Sequence, residues 1–159
     1  MESENLKGIV ISIHIRPKAS APTVAVEKVY AFPGKGLEGD HHLRQFQSSA
    51  SQVRTAPDRE ITLIEIEALE ALKRDFGVKL EPGEARRNLL VRAVALNHLV
   101  GKTFRVGGVC LRGIRLCEPC GHLVELTGKT VRSGLVHRGG LRAQILTEGE
   151  ICVGDSLSD

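Results

Sequence analysis

The alternation of apolar and polar residues along the chain predicts mainly short β-strands. Isoleucine occupies every second position from Ile9 to Ile15, and a period of two is typical of a strand with one buried face. The other apolar runs are four to ten residues long and end at glycine, proline or polar residues. They predict strands near residues 23–32, 88–92, 103–106, 109–117, 141–146 and 151–157.

One segment follows the period of a helix instead. Thr62 and Glu65 have the spacing of a capping box, and apolar residues recur at helical spacing from Ile66 to Phe76. Gly77 is suited to end the helix in a left-handed conformation. The pattern therefore predicts a packing helix that begins near Thr62 and ends at Gly77.

Two shorter helices and one long polar loop complete the expected elements. Pro119 can open a short helix that runs toward Leu126, and a second one is expected over residues 130–136. Residues 39–59 are polar and irregular, which predicts a flap or a disordered loop.

About eight strands with two or three short helices, and no regular alternation of strand and helix, argue against a doubly wound parallel sheet. The pattern predicts a mostly β fold, a mixed and largely antiparallel β-barrel with short α-helices. No linker or internal repeat divides the chain, so residues 1–159 are expected to form a single domain.

Composition narrows the class of protein. Aromatic residues make up 3% of the 159 residues, and tryptophan is absent, which disfavours nucleic-acid modules that stack bases on aromatic rings. No apolar run approaches the ~18 residues of a membrane span, and Glu2 and Glu4 do not suit a secretory signal. We therefore expect a cytoplasmic protein without membrane partners, whose four cysteines are thiols, metal ligands or catalytic groups.

Charge is unevenly placed along the chain. Residues 86–142 carry eleven Lys or Arg, mostly Arg, and only two acidic residues, Glu118 and Glu125. Guanidinium groups bind phosphate and carboxylate through two parallel hydrogen bonds. The excess indicates either a solvated basic face or a site for a phosphorylated or otherwise anionic small ligand.

The strongest candidate for chemistry is the segment L-C-E-P-C-G-H at residues 116–122. If Pro119 opens a helix, Cys120 lies in its first turn, where free N–H groups and the helix dipole stabilise a thiolate. Arg115 and His122 would add positive potential. Cys120 is therefore expected to be the working thiolate, with Cys117 as its buried neighbour.

Two other interpretations of the cysteine pair stay open. A structural zinc ion needs four ligands, and the pair provides two, so His122, His137 or Cys110 would have to complete the site. A thioredoxin-like redox couple normally follows a strand of a parallel sheet, which is not predicted here. Cys110 and Cys152 lie in strand-like runs and are expected to be ordinary small core residues.

Three further clusters are candidates for binding or proton transfer. Asp40, His41 and His42 follow Gly39 and could ligate metal, move protons or form a solvated loop edge. The other two clusters are basic, R-R-N at residues 86–88 and H-R-G-G at residues 137–140, the latter followed by Arg142. Glycines there permit close approach of the backbone to a ligand, and Arg138 can bind an anion.

In order along the chain, these motifs resemble those of a MOSC domain, the module named for the C-terminal part of molybdenum-cofactor sulfurases. The resemblance covers nearly the whole chain, and the chain is similar to small stand-alone bacterial members of that family. It rests on G-L-E-G-D-H-H at 36–42, R-E-I-T-L-I-E at 59–65, G-E-A-R-R-N-L-L-V at 83–91, L-N-H-L-V-G-K-T-F-R-V-G at 96–107, R-L-C-E-P-C-G-H-L at 115–123, H-R-G-G-L-R-A-Q-I-L at 137–146 and V-G-D at 153–155.

The resemblance implies a mixed β-barrel and a site around one cysteine that either carries sulfur or ligates molybdenum of a pterin cofactor; pyridoxal phosphate binding is a family-level association. The family's cysteine matches Cys120. The groups that hold the pterin phosphate correspond best to Arg87, Asn88 and Arg138, with Thr62 as a further candidate. The chain adds Cys117, and it lacks the companion N-terminal barrel and the aminotransferase-like domain of larger relatives.

Three functions follow as hypotheses. The first is a molybdenum-cofactor-binding component that reduces small N-oxygenated compounds, with Asp40, His41 or His42 in proton transfer and a separate electron-donor protein. The second is a sulfur carrier with a persulfide on Cys120, loaded by a separate sulfur donor and with Cys117 as resolving thiol. The third is a zinc domain that binds a partner without catalysis.

Overall fold

The computed structural model describes residues 7–18, 21–40, 56–118 and 134–159. These ranges contain eleven strands and one α-helix. The strands are β1 Gly8–Ile15, β2 Val24–Val26, β3 Lys28–Phe32, β4 Gly36–Leu37, β5 Ile61–Glu65, β6 Leu89–Arg92, β7 Thr103–Val106, β8 Val109–Leu116, β9 Leu141–Ile145, β10 Gly149–Cys152 and β11 Ser156–Ser158, and the helix α1 is Ile66–Phe76.

Seven strands close into a barrel in the order β1, β6, β5, β9, β8, β7 and β11, and β11 pairs back onto β1. All neighbours in the ring are antiparallel except β5 and β6, which are parallel. β2 pairs with β1, and a second sheet has the order β10, β3 and β4. The expected mixed, largely antiparallel β-barrel is confirmed.

Apolar side chains fill the barrel and also cover part of its outside. The interior includes Leu63, Leu89, Phe104 and Leu141, all fully buried. A smaller cluster lies on the outer face, where α1 packs over β5 and β6 together with Leu135. Because successive residues of a strand point to opposite faces, the outer face of β5 and β6 is apolar only under the helix.

The isoleucine alternation of β1 does not define a single buried face. The pairing of β1 with β6 shifts register between Val10 and Ser12. Such a bulge reverses the direction of the residues that precede it. Val10 and Ile13 are therefore both buried in the interior cluster, whereas Ile9 is 42% exposed.

The helix begins four residues later than the capping pattern predicted. Thr62 lies in β5, and Glu65 is the extended residue before the helix and makes no side-chain cap. The capping-box prediction is wrong because the Thr62 hydroxyl is used between strands. The predicted end is confirmed, since Gly77 has φ 68° and donates its N–H to the carbonyl of Lys73.

The predicted runs 23–32 and 151–157 each contain two strands that belong to different sheets. These two divisions, together with β4 and β5, which the pattern did not predict as strands, give eleven strands in the described residues rather than about eight. Residues 134–136, the described part of the second short helix, form a turn, and the helix expected after Pro119 lies outside the described ranges. Within those ranges, no helix has the length and apolar character needed to cross a membrane.

Candidate functional site

Five polar side chains lie next to one another on the outside of the barrel, from five neighbouring strands. Arg115 of β8 is paired with Arg142 of β9, and Arg142 is paired with Thr62 of β5. Thr62 bonds to Asn88, directly before β6, and Asn88 bonds to the backbone of His14 in β1. Because their neighbours along each strand point into the barrel, these side chains face outward. We call these five residues the outer polar row.

The centre of the outer polar row is a closed hydrogen-bond network. The Asn88 Oδ1 atom accepts from the Thr62 N–H at 3.0 Å and lies 3.2 Å from the Thr62 hydroxyl. The same hydroxyl accepts from the Asn88 N–H at 3.0 Å, and Asn88 Nδ2 donates to the His14 carbonyl at 3.0 Å. Both residues, expected to hold an anion, are buried and join three strands.

Arg142 has a donor without a partner. Its Nη1 donates to the Asp58 carbonyl at 3.2 Å, but its Nε is buried and has no hydrogen-bond acceptor among the described residues. Arg115, its neighbour, contacts the Asp58 carboxylate through Nε and Nη2, both at 2.9 Å. Burial opposes ionisation of Asp58, but Arg115 and Arg142 outweigh it and hold its pKa below the ordinary value. The side chain of Asp58 is therefore engaged by Arg115, while Arg142 keeps an unused N–H.

His14 was not singled out by the sequence. Its ring is buried, its Nε2 lies 2.8 Å from the Ser12 hydroxyl, and burial lowers its pKa. The available signal was that Ser12 and His14 alternate with isoleucines in this strand. The same alternation is typical of an ordinary solvent-exposed face. The structure instead places His14 at one end of the outer polar row as a neutral imidazole near pH 7.

Beside His14, two arginines share one carboxylate. Asp40 is buried; it accepts from the Arg16 N–H at 2.7 Å, and its Oδ1 lies 3.7 Å from the Arg16 Nε. That Nε is itself buried, and no described residue accepts a hydrogen bond from it. Arg86 donates to the Ala21 carbonyl at 2.6 Å, and burial, followed by the charge of Arg16, lowers its pKa. Arg16, Arg86 and Asp40 therefore form a charged cluster beside His14.

Arg87 lies apart from the row. Its Nε donates to the Gly139 carbonyl at 2.8 Å, its Nη1 to that of Ala85 at 3.2 Å and its Nη2 to that of Cys117 at 3.3 Å. We call Arg87 with these three carbonyls the carbonyl clamp. The clamp joins the end of β8, the segment before β9 and the turn before β6.

Arg138 lies in an exposed turn, away from the centre of the row. Its N–H donates to the Leu135 carbonyl at 2.9 Å. Its charge acts on two carboxyls that flank α1: burial raises the pKa of Glu65 and Arg138 opposes this, while the pKa of Asp75 is lowered first by Arg74 and also by Arg138. The neighbouring His137 is held by the Glu118 carboxylate, which accepts from its N–H at 3.1 Å.

The described cysteines differ in burial from the expectation. Cys117 is 1% exposed, as expected, whereas Cys110 and Cys152 are half-buried and not core residues, because their side chains lie at strand positions outside the barrel interior. The predicted residues Cys120, His122, His41 and His42 lie outside the described ranges. Among the residues that are described, no three His, Cys, Asp or Glu side chains form a group able to hold a metal.

These features define a mostly β barrel protein with an arginine-containing polar face on the outside of the barrel, whose centre at Thr62 and Asn88 is buried. A MOSC-domain family profile matches residues 50–158. The chain belongs to the MOSC domain family.

Solved structures agree with this fold. The YuaD protein of Bacillus subtilis superposes with a TM-score of 0.77 at 19% identity, over 98% of this chain and 96% of that one. YiiM of Geobacillus stearothermophilus superposes with a TM-score of 0.72 at 14% identity, over 95% of this chain and 74% of that one. For YiiM of Escherichia coli the TM-score is 0.67 at 17% identity, over 98% of this chain and 69% of that one. A comparison with curated proteins finds no match.

Proposed function

We propose that this MOSC domain binds the molybdenum cofactor, with the pterin phosphate on the outer polar row and Cys120 as the protein ligand of the metal. The observation that carries the proposal is the buried Arg142 Nε, which has no hydrogen-bond partner within the row. A buried N–H of a cation without an acceptor is costly, and a phosphate oxygen would satisfy it.

The donor set of the row fits an anion. Within the described ranges neither the Arg142 Nε nor the Arg16 Nε has a hydrogen-bond acceptor, although the Arg16 Nε lies 3.7 Å from the Asp40 carboxylate. Arg86, which is bonded to the Ala21 carbonyl, lies close enough to Arg16 and Asp40 to interact with both charges. Together these groups favour a ligand with a compact negative charge over a neutral or cationic one.

Proton transfer falls to the histidines rather than to Asp40. The Asp40 carboxylate is buried, and the Arg16 N–H donates to it at 2.7 Å. This bond fixes the carboxylate against Arg16, and its burial keeps it from direct contact with a substrate. We therefore assign proton transfer to His41 or His42 and a positioning role to Asp40.

The bound cofactor would supply two-electron redox chemistry. By analogy with relatives, the substrates are small N-oxygenated compounds, and the electrons come from a separate protein, because the sequence carries no flavin, haem or iron–sulfur signature. The proposed reaction is the reduction of an N-hydroxylated compound by two electrons and two protons, which releases water.

The test is metal analysis with a pterin assay on protein purified from a host that makes the cofactor. We expect molybdenum and pterin near stoichiometry in the wild type, and loss of both in Cys120→Ser and in Arg142→Gln. Arg92→Gln is the matched control, because Arg92 is exposed at the far end of β6. Retention of cofactor by both site variants would contradict the proposal.

The alternative functions give other outcomes in the same experiment. Zinc alone would support the structural-metal hypothesis, and a persulfide on Cys120 without molybdenum would support the sulfur carrier. The burial of Cys117, 1% exposed, is unfavourable for a resolving thiol, which has to reach the persulfide sulfur.

A further inference from the structure

Arg87 was expected to hold the cofactor phosphate, but its guanidinium is directed at the backbone. Three of its nitrogens donate to three carbonyls, those of Gly139 at 2.8 Å, Ala85 at 3.2 Å and Cys117 at 3.3 Å. A guanidinium has five N–H donors in a fixed plane and can serve several acceptors at once, which a lysine ammonium on a flexible stem does not reproduce.

The three carbonyls come from chain segments that are far apart in sequence. Cys117 follows β8, Gly139 precedes β9, and Ala85 ends the turn before β6. A direct backbone bond reinforces the same junction, since the Cys117 N–H donates to the Gly140 carbonyl at 2.7 Å. Gly140 has φ 108°, and its Cα approaches the Leu63 carbonyl so closely that a Cβ would overlap it.

The contrast with Arg142 is direct. The buried Nε of Arg142 has no acceptor in the part of the chain that the structure describes, whereas Nε, Nη1 and Nη2 of Arg87 each donate to a backbone carbonyl. The acceptors of Arg87 are supplied by the fold itself, so its position is explained without a ligand.

We propose that Arg87 is a positioning residue that fixes Cys117, the first cysteine of the C-x-x-C motif, against the H-R-G-G turn, and that it is not an anion ligand. Its importance for the cofactor rests on the proposed function, but the clamp itself does not require the cofactor. The substitution Arg87→Lys keeps the charge and removes the fork, so it separates the two roles.

The first experiment needs no cofactor. Native protein is alkylated with iodoacetamide, and modification of Cys117 is followed by peptide mass spectrometry. We expect modification about tenfold faster in both Arg87→Gln and Arg87→Lys, because loss of the charge-assisted bonds increases local opening. Arg92→Gln should match the wild type. Unchanged rates in both variants, or a wild-type rate in Arg87→Lys alone, would overturn the proposal.

The second experiment compares rescue by lysine at two arginines. Cofactor retention is measured for the Lys and Gln variants at Arg87 and at Arg142. At Arg142, lysine should restore part of the retention lost in the glutamine variant, because an ammonium also binds phosphate. At Arg87, lysine should retain no more cofactor than glutamine. Rescue by lysine at Arg87 would instead identify it as an anion ligand.

If the wild type holds no cofactor, the proposed function fails while the alkylation result still decides the role of Arg87. Melting curves of the four variants show whether each is folded, and Arg87→Lys is the milder change if Arg87→Gln does not fold.

Discussion

The outer polar row and the carbonyl clamp both contain an arginine that the sequence assigns to the same anionic ligand, yet they differ in what the fold provides. In the clamp, the guanidinium of Arg87 is surrounded by backbone carbonyls. In the row, and counting only residues that the structure describes, Arg142 donates to the Asp58 carbonyl while its buried Nε has no acceptor. An arginine that the fold has already satisfied stabilises the structure, whereas one with an unused buried donor marks a place for a ligand.

The comparison therefore separates stability from binding. Substitutions in the clamp should mainly lower the free energy of unfolding, and substitution of Arg142 should mainly affect binding. Five substitutions, each with a control or a counterpart, test the two regions, beginning with the largest expected effect.

Gly140→Ala should destabilise the protein by about 3 kcal/mol or more, since the added Cβ overlaps the Leu63 carbonyl and φ 108° is unfavourable for alanine. Urea unfolding measures the change. Gly108→Ala is the control, because a Cβ at Gly108 has open space. Equal stability of the two variants would show that the junction tolerates movement.

Asn88→Ala should cost about 2–3 kcal/mol, because it removes the partner of Thr62 and leaves buried polar groups unsatisfied. Asn97→Ala, which removes one exposed bond to the His137 carbonyl, should cost less than ~1 kcal/mol. Comparable losses in thermal unfolding would mean that the network contributes less to the row than its burial indicates.

Arg87→Met and Arg142→Met test the comparison most directly. Arg87→Met should cost about 2 kcal/mol, because three carbonyls lose a charged donor. Arg142→Met should be neutral or stabilise by up to ~1 kcal/mol without ligand, since it removes a buried unpartnered N–H. Chemical unfolding of the cofactor-free proteins measures both, and the reverse ranking would contradict the comparison.

The smallest effect is expected from His14, whose pKa is lowered by burial. As the pH falls below the ordinary value of 6.5, the unfolded chain binds a proton before the folded protein does, so stability decreases with acidification. His14→Gln should reduce this dependence between pH ~7.5 and ~5.5. His98→Gln, at an exposed residue, should retain it; identical profiles for both variants would count against the burial of His14.

Strand positions were predictable from the sequence wherever a short apolar run forms a single strand. The runs near 88–92, 103–106 and 109–117 match β6, β7 and β8 closely. Two of the wrong predictions, the helix cap and the buried face of β1, have causes that an apolar–polar pattern does not show. The hydroxyl of Thr62 has the spacing of a helix cap but bonds to Asn88, and the bulge in β1 reverses part of its alternation.

The candidate site was predictable in part. Thr62, Asn88 and Arg142 were named from their motifs, and the structure brings them together in one row. His14 and Arg16 were missed, because only closure of the barrel places the start of the chain beside β6. Arg87 and Asn88 are adjacent in sequence, but alternation along the strand directs their side chains to different neighbours.

The pairing of β1 with β11 has a consequence for synthesis of the protein. Gly8 is opposite Leu157, so the ring contains a contact between the first and last strands of the described chain. During synthesis, β1 leaves the ribosome long before β11 does. Contacts of such high sequence separation form slowly. Until then β2 covers one end of this edge of β1, but Gly8 and Ile9 lack their partner, and mispairing of the nascent chain is possible there.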